Sequence, residues 1–260
     1  IKYINQVKNH LRKHKIKKFK IVLEPAKKNT APAILSTALI EDIPNKQPMV
    51  FLSADHLIEK VDLFNKALKK SQKKLTENNV FIFGIKPTAP SSEFGYFLTK
   101  NIKNNINKVS KFIEKPNENK AKQIIKKKGY WNSGIFFLRK DSIINNFKKY
   151  QFNIYQNCKI AVTKAKHKKN IYYLNKKSFI KIKAKSFDYA ILEKTKNINA
   201  IKLNIEWSDL GNWKEILKIF NKKKREYIKK QNIHYRPWGK FTNLFTGKEF
   251  LIKELHINPQ

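Results

Sequence analysis

The sequence predicts an α/β fold on a mostly parallel sheet, and three observations predict it. Short apolar runs alternate with helix-length amphipathic stretches three times over residues 19–85, the pattern of strand–helix–strand units. The run Met49–Leu52 stops at Ser53-Ala54-Asp55-His56, small residues and then an acid, as a buried strand does at a ligand crevice. The same grammar recurs far along the chain, where Ile198–Ile205 ends in Glu206-Trp207-Ser208-Asp209.

The elements follow in order. Ile1, Ile4, Val7 and Leu11 mark an amphipathic helix to His14, and Phe19–Leu23 reads as a strand closed by Glu24-Pro25. A helix over Ile34–Glu41 is capped by Thr30, with Pro32 in its first turn. After Met49–Leu52 and Asp55, a long helix runs from about Ile58 to Leu75, with Val61, Phe64, Leu68 and Leu75 on one side, and Val80–Ile85 is the next strand. The pattern then changes. Pro87-Thr88-Ala89-Pro90 is a loop, and Gly95–Leu98 and Val109–Ile113 are strands joined by a polar Asn/Lys loop. A short helix spans Asn119–Lys127, and a loop over residues 129–134 leads to the strand Ile135–Leu138. Helices cover Asp141–Tyr150, part of Asn153–Lys166, and Phe187–Leu192. Ile198–Ile205 is followed by a helix from about Trp213 to Ile228, then by strands at Lys240–Leu244 and Phe250–Leu255.

Composition bounds the function. The chain has 260 residues, 41% of them hydrophobic, enough for a true core and against a disordered polymer. The net charge of +38 raises nucleic-acid binding. Only Arg12, Arg139, Arg225 and Arg236 are arginine, however, and the lysines travel with Asn and Ile along the whole chain. Base readers lean on arginine for bidentate contacts. The charge is therefore read as coding bias that still attracts small anions, with no nucleic-acid and no membrane partner. Cys158 is the single cysteine, which excludes an internal disulfide and fits a cytoplasmic protein. The helix around it makes an inert thiol the expectation. No apolar run approaches a membrane span.

Several residues have chemistry to offer. Asp55 and Asp209 each follow a strand. Together they would bracket a hard cation that shares its oxygens with phosphates; alternatively, Asp55 caps a helix and Asp209 closes a Ser-Asp-Leu-Gly turn. Glu114-Lys115 ends a strand, where a carboxylate takes sugar hydroxyls and an ammonium meets a phosphate; an exposed ion pair is the alternative. Asn132 either contacts a hydroxyl or makes a turn, and Gly95 either admits a ligand or permits a turn. The six histidines show no metal-ligand spacing, and neither a Walker-type loop nor G-x-G-x-x-G is present.

Taken together, an ordered series of segments carries a resemblance. It runs through Leu23-Glu24-Pro25 with Asn29–Ile34, Ser53-Ala54-Asp55-His56, Gly84–Thr88, Glu93–Tyr96 and Phe112–Pro116. It continues with Trp131–Phe136, Phe187–Lys194, Trp207–Trp213 and Tyr235–Gly239. The series resembles mannose-1-phosphate guanylyltransferases of the bacterial bifunctional type, which carry a type II mannose-6-phosphate isomerase (cupin) domain. The resemblance implies a Rossmann-like sugar-nucleotidyltransferase fold, with a mixed, mostly parallel sheet flanked by helices. It also implies the reaction of GTP with mannose 1-phosphate to give GDP-mannose and pyrophosphate. Asp55 and Asp209 would hold Mg²⁺ as the catalytic metal site. Asn29, Thr30 and Ala31 would line the nucleotide site. Gly95, Glu114, Lys115 and Asn132 would bind the sugar phosphate.

Three departures qualify that reading. The family's first strand and glycine-rich G-x-G-T-R-type loop are not in the sequence, the segment between Trp213 and Tyr235 is short, and the chain stops before any histidine cluster of a cupin. The expectation is a chain truncated at both ends, with residues 1–230 an incomplete nucleotidyltransferase domain and residues 231–260 the first strands of the isomerase domain. Its transferase activity would be impaired, and isomerase activity absent. Another hexose-1-phosphate nucleotidyltransferase, or a basic nucleic-acid-binding protein, is the alternative. A homo-oligomeric state is left open.

Overall fold

The computed structural model describes residues 3–100, 106–210, 216–217, 233–246 and 249–258. By contact the chain divides into two compact units: residues 1–54 with 58–207, and residues 55–57 with 208–260. The expected boundary at residues 230/231, the polar loop at 101–105 and, apart from the helical residues 216–217, the helix beyond Trp213 fall outside the described residues.

The first unit is built on a six-stranded sheet of β2 (Pro48–Phe51), β4 (Val80–Ile85), β5 (Tyr96–Thr99), β6 (Ile106–Ile113), β7 (Tyr130–Arg139) and β10 (Ile198–Leu203). Its order is β2-β7-β4-β10-β6-β5, with a further β5–β7 pairing. The expectation of a mostly parallel sheet needs correction. β4 and β10 pair in parallel, whereas β2–β7, β4–β7, β6–β10, β5–β6 and β5–β7 are antiparallel. β2, β4, β5 and β10 do run the same way. The strand–helix–strand alternation reports that shared direction, not adjacency, and the later strand β7 lies between β2 and β4.

Central strands bury both faces, which is why they read as continuous apolar runs. Val80 and Ile82 of β4 join one core, and Phe81 and Phe83 the other. β7 alternates likewise: Phe136 and Leu138 face the first core, Ile135 and Phe137 the second. The first core is closed by α2 (Thr30–Ala38), α5 (Lys140–Tyr150) and α6 (Phe152–Thr163), through Leu35, Phe147 and Cys158. The second is closed by Phe64 of α3 (Val61–Gln72).

The helical periodicity also places α1 (Ile4–Lys13) and α4 (Glu118–Lys126). Asn117 caps α4, its side chain accepting from the Lys120 N–H. A small sheet pairs β1 (Ile21–Leu23) in parallel with β9 (Ile171–Tyr173), which is antiparallel to β8 (Lys166–Lys168). This hairpin was not expected. Its strands are three residues long, too short for periodicity to register. A short helix, α7 (Lys176–Phe179), and a π-helical turn, Asp188–Leu192, follow.

Two local expectations fail. The cap of α2 is Asn29, whose side chain accepts from the Thr30 N–H, because Thr30 is already helical. No helix begins at Leu57 or Ile58. Residues 56–58 are the short strand β3 (His56–Ile58), and α3 starts at Val61 without a side-chain cap.

In the second unit, β12 (Ile233–Arg236), β13 (Gly239–Thr246) and β14 (Leu251–Ile257) form an antiparallel three-stranded sheet. Pro237-Trp238 makes the first turn, and Gly239 leaves it with φ 143°. A Cβ there would lie 1.9 Å from the His256 carbonyl oxygen, so only glycine fits.

Candidate active site

Strand register assembles the first group of residues. Tyr96 of β5 pairs with Ile113 of β6 on one side and Trp131 of β7 on the other. One step along, Gly95 stands between Glu114 and Asn132. The Asn132 N–H donates to the Gly95 carbonyl at 2.7 Å. A Cβ on Gly95 would meet Glu114 Oε2 at 2.4 Å, Phe112 Cζ at 3.2 Å and Asn132 Cβ at 3.5 Å. The missing side chain is thus the space that lets a carboxyl and an amide sit side by side. Lys115 turns the chain sharply with φ 45°, and its charge acts on both Glu114 and Asp188.

Two further acids complete the group. Asn132 Nδ2 donates to Asp188 Oδ1 at 2.8 Å, and the Glu114 N–H reaches Glu193 Oε1 at 3.4 Å. Burial pushes the Glu114 carboxyl up to about 8, with Asp188 and Glu193 adding to the rise and Lys115 opposing it. Burial also pushes Asp188 up to about 6, against the hydrogen bond from Asn132 and the charge of Lys115. Near neutral pH Glu114 therefore holds a proton and can donate, while Asp188 is ionised and can only accept. Sequence reading gave no role to Asp188 or Glu193. Both acids lie in the segment Phe187–Lys194 that carries part of the family resemblance, Asp188 opening the π-helical turn and Glu193 ending it.

A second pair of acids sits on two paired short strands. Asp55 immediately precedes β3, and Asp209 is the last residue of β11 (Trp207–Asp209). β3 and β11 form a two-stranded sheet, and the Leu210 N–H donates to the Asp55 carbonyl at 2.9 Å. Both acids act on His56, which burial holds below the usual imidazole range while Asp209 and Asp55 pull it upward. Asp55 is therefore not a helix cap. The part of the Ser-Asp-Leu-Gly turn beyond Leu210 lies outside the described residues.

The third group, Asn29, Thr30 and Ala31, opens α2. Asn29 takes φ 68° with ψ −174°, an extended positive-φ conformation that residues with side chains rarely adopt. The Thr30 hydroxyl accepts from the Phe187 N–H at 2.9 Å, and the Ala31 N–H donates to the Lys185 carbonyl at 3.1 Å. The start of α2 is thereby tied to the segment that carries Asp188.

Among the described residues no group of three or more His, Cys, Asp and Glu is arranged to hold a metal, and no helix is long and apolar enough to cross a membrane. Residues 2–226 match the family model described as nucleotidyl transferase. The chain belongs to the nucleotidyl transferase family. It is 26% identical to a mannose-1-phosphate guanylyltransferase of Salmonella muenchen, over 92% of this chain and 65% of the relative. It is 33% identical to mannose-1-phosphate guanylyltransferase RfbM of Salmonella typhimurium, over 82% of this chain and 46% of that protein. The chain thus spans about half to two thirds of the length of the curated relatives it matches. Among solved structures, one titled mannose-6-phosphate isomerase, from Helicobacter pylori, superposes with a TM-score of 0.73 at 29% identity, covering 80% of this chain and 82% of the other. The family accounts for the observed architecture, an α/β fold with mixed sheets.

Proposed function

We propose that this chain carries the hexose-phosphate site of a mannose-1-phosphate guanylyltransferase, joining GTP and mannose 1-phosphate into GDP-mannose and pyrophosphate. The observation that carries the reading is the row Glu114–Gly95–Asn132, set by strand register at one end of the sheet. It offers a protonated carboxyl and an amide, packed together where Gly95 has no side chain, beside Lys115. Such a set suits a polyhydroxylated ring bearing a phosphate. The relatives' names supply the sugar and the nucleotide. In this reading Asn29, Thr30 and Ala31 line the guanosine site.

Asp55 and Asp209 fit Mg²⁺ by the chemistry of their donors. Carboxylates carried on paired strands are hard oxygen ligands, and Mg²⁺ keeps the rest of its shell for water and substrate phosphates. When bound, the ion neutralises charge on the triphosphate. Asp55 and Asp209 would hold it, Lys115 would meet the sugar phosphate as a point charge, and Glu114 and Asn132 would orient the ring for attack by its phosphate oxygen. The antiparallel strands of the second unit are, in this reading, the opening of a cupin-type domain.

Calorimetry tests the proposal. GDP-mannose with Mg²⁺ should bind, and Asp55→Asn and Asp209→Asn should each weaken that binding at least tenfold without lowering the melting temperature. If mannose 1-phosphate and GDP-mannose both fail to bind, while another sugar nucleotide does, the alternative hexose specificity takes its place.

A further inference from the structure

We infer that Asp188 is a positioning residue of the sugar pocket: it fixes the Asn132 side chain so that the amide oxygen, not the amide nitrogen, is offered to a hydroxyl of the bound hexose. This rests on the substrate reading above and extends it to a residue with no assigned role.

An asparagine amide has two faces of opposite character, a double donor and a double acceptor, and rotates between them unless its surroundings choose. Asn132 is 6% exposed, so water does not choose for it. Asp188 does. An ionised carboxylate is acceptor-only, and Nδ2 lies 2.8 Å from its Oδ1. The oxygen is thereby turned to the other side. Among the described residues its donor is the Gly134 N–H at 3.4 Å, a long contact that leaves a lone pair for a stronger donor.

Asp188 is itself held firmly. It begins a π-helical turn, its carbonyl accepts the Glu193 N–H at 3.0 Å, and the preceding Phe187 N–H is bonded to Thr30 Oγ1. Wide turns of this kind recur at functional sites. The charged and titratable groups that bear on Asp188 are Glu114, Lys115, Tyr189 and Glu193. With Glu114 as donor and Asn132 Oδ1 as acceptor on either side of Gly95, the pocket presents a donor–acceptor pair complementary to neighbouring hydroxyls on a sugar ring.

The test is calorimetric binding of mannose 1-phosphate and its monodeoxy analogues at about pH 7.5, to the wild-type chain and to Asp188→Asn. Wild type should lose about tenfold or more in affinity with one of the analogues, because Asn132 Oδ1 then lacks its donor. Asp188→Asn should bind the parent sugar phosphate about tenfold more weakly and discriminate little between parent and analogue. A purely structural role would lower affinity for all ligands alike. Wild-type affinity and discrimination in a folded Asp188→Asn variant overturn the inference. Failure of the wild type to bind any hexose 1-phosphate instead overturns the substrate reading, and the inference with it. Should Asp188→Asn not fold, the wild-type Asn132 side-chain amide resonances decide. Slow exchange, with shifts that titrate near pH 6, supports the inference; exchange as fast as an exposed amide, unresponsive between about pH 5 and 7, overturns it.

Discussion

The space a side chain on Gly95 would fill is occupied by the carboxyl of Glu114, whose Oε2 would stand 2.4 Å from the added Cβ. Gly95 does not have a positive φ, so a substitution there meets a steric obstacle and no backbone strain. In Gly95→Ala, Glu114 must rotate away from Asn132. The expected cost is about 1–3 kcal/mol of stability, together with a loss of more than tenfold in mannose 1-phosphate affinity. Thermal melting and calorimetry on the same sample check both, and unchanged affinity would separate Gly95 from the sugar site.

Glu114 also makes stability depend on pH. Its native carboxyl releases its proton only at about 8, against an ordinary value of 4.5. Between those values the folded chain holds more protons than the unfolded one, so stability falls as pH rises through the window and levels off above it. Asp188, raised to about 6, adds to the slope at its acid end. Glu114→Gln keeps the shape and discards the charge. The variant should therefore be more stable than wild type at about pH 8.5, by about 1–2 kcal/mol once solvent screening is allowed for. At about pH 4.5 the two should melt together. Parallel melting curves at both pH values would show that Glu114 is not held protonated.

These two residues show what the sequence makes legible. Glu114 ends one apolar run and Gly95 begins another, and edges of buried strands are readable from hydrophobicity alone; Asn132, expected in a loop, instead lies inside β7. Their convergence depends on register, and register comes from pairings that only the folded sheet displays, such as Tyr96 against both Ile113 and Trp131. The insertion of β7 between β2 and β4 was hidden for the same reason. Asp188 stands in a segment the sequence singles out, but its role was hidden because it rests on a hydrogen bond to a residue 56 positions away. Asp55 was readable as an acid after a strand. The three-residue strand β3 behind it was not, since neighbouring Leu57 and Ile58 serve a strand or a helix start equally well.

Cys158 offers a check on the packing of α6 against α2. The thiol is fully buried, and burial pushes it up to about 12. Thiolate, not thiol, reacts with disulfide reagents. The native chain should therefore show almost no reactive thiol to an aromatic disulfide at about pH 8, and one per chain in guanidinium chloride. Rapid labelling without denaturant would mean that α6 opens from the core in the native state.

Lys140 performs structural work that its residue type conceals. It is 5% exposed, and its ammonium donates to the carbonyls of Ile40 at 3.0 Å and Ile43 at 2.6 Å. It thus fastens the 40–47 loop to the junction of β7 and α5, where the Lys140 N–H also bonds the Gln47 carbonyl at 3.0 Å. Lys140→Met retains the aliphatic stem and removes both side-chain hydrogen bonds, leaving two carbonyls without their donor. The expected loss is about 2–3 kcal/mol, or about 5–10 °C in melting temperature. Lys120→Met, at an exposed position of α4, should stay within about 0.5 kcal/mol of wild type. Equal behaviour of the two variants in thermal denaturation would show that the buried ammonium contributes nothing to holding the loop.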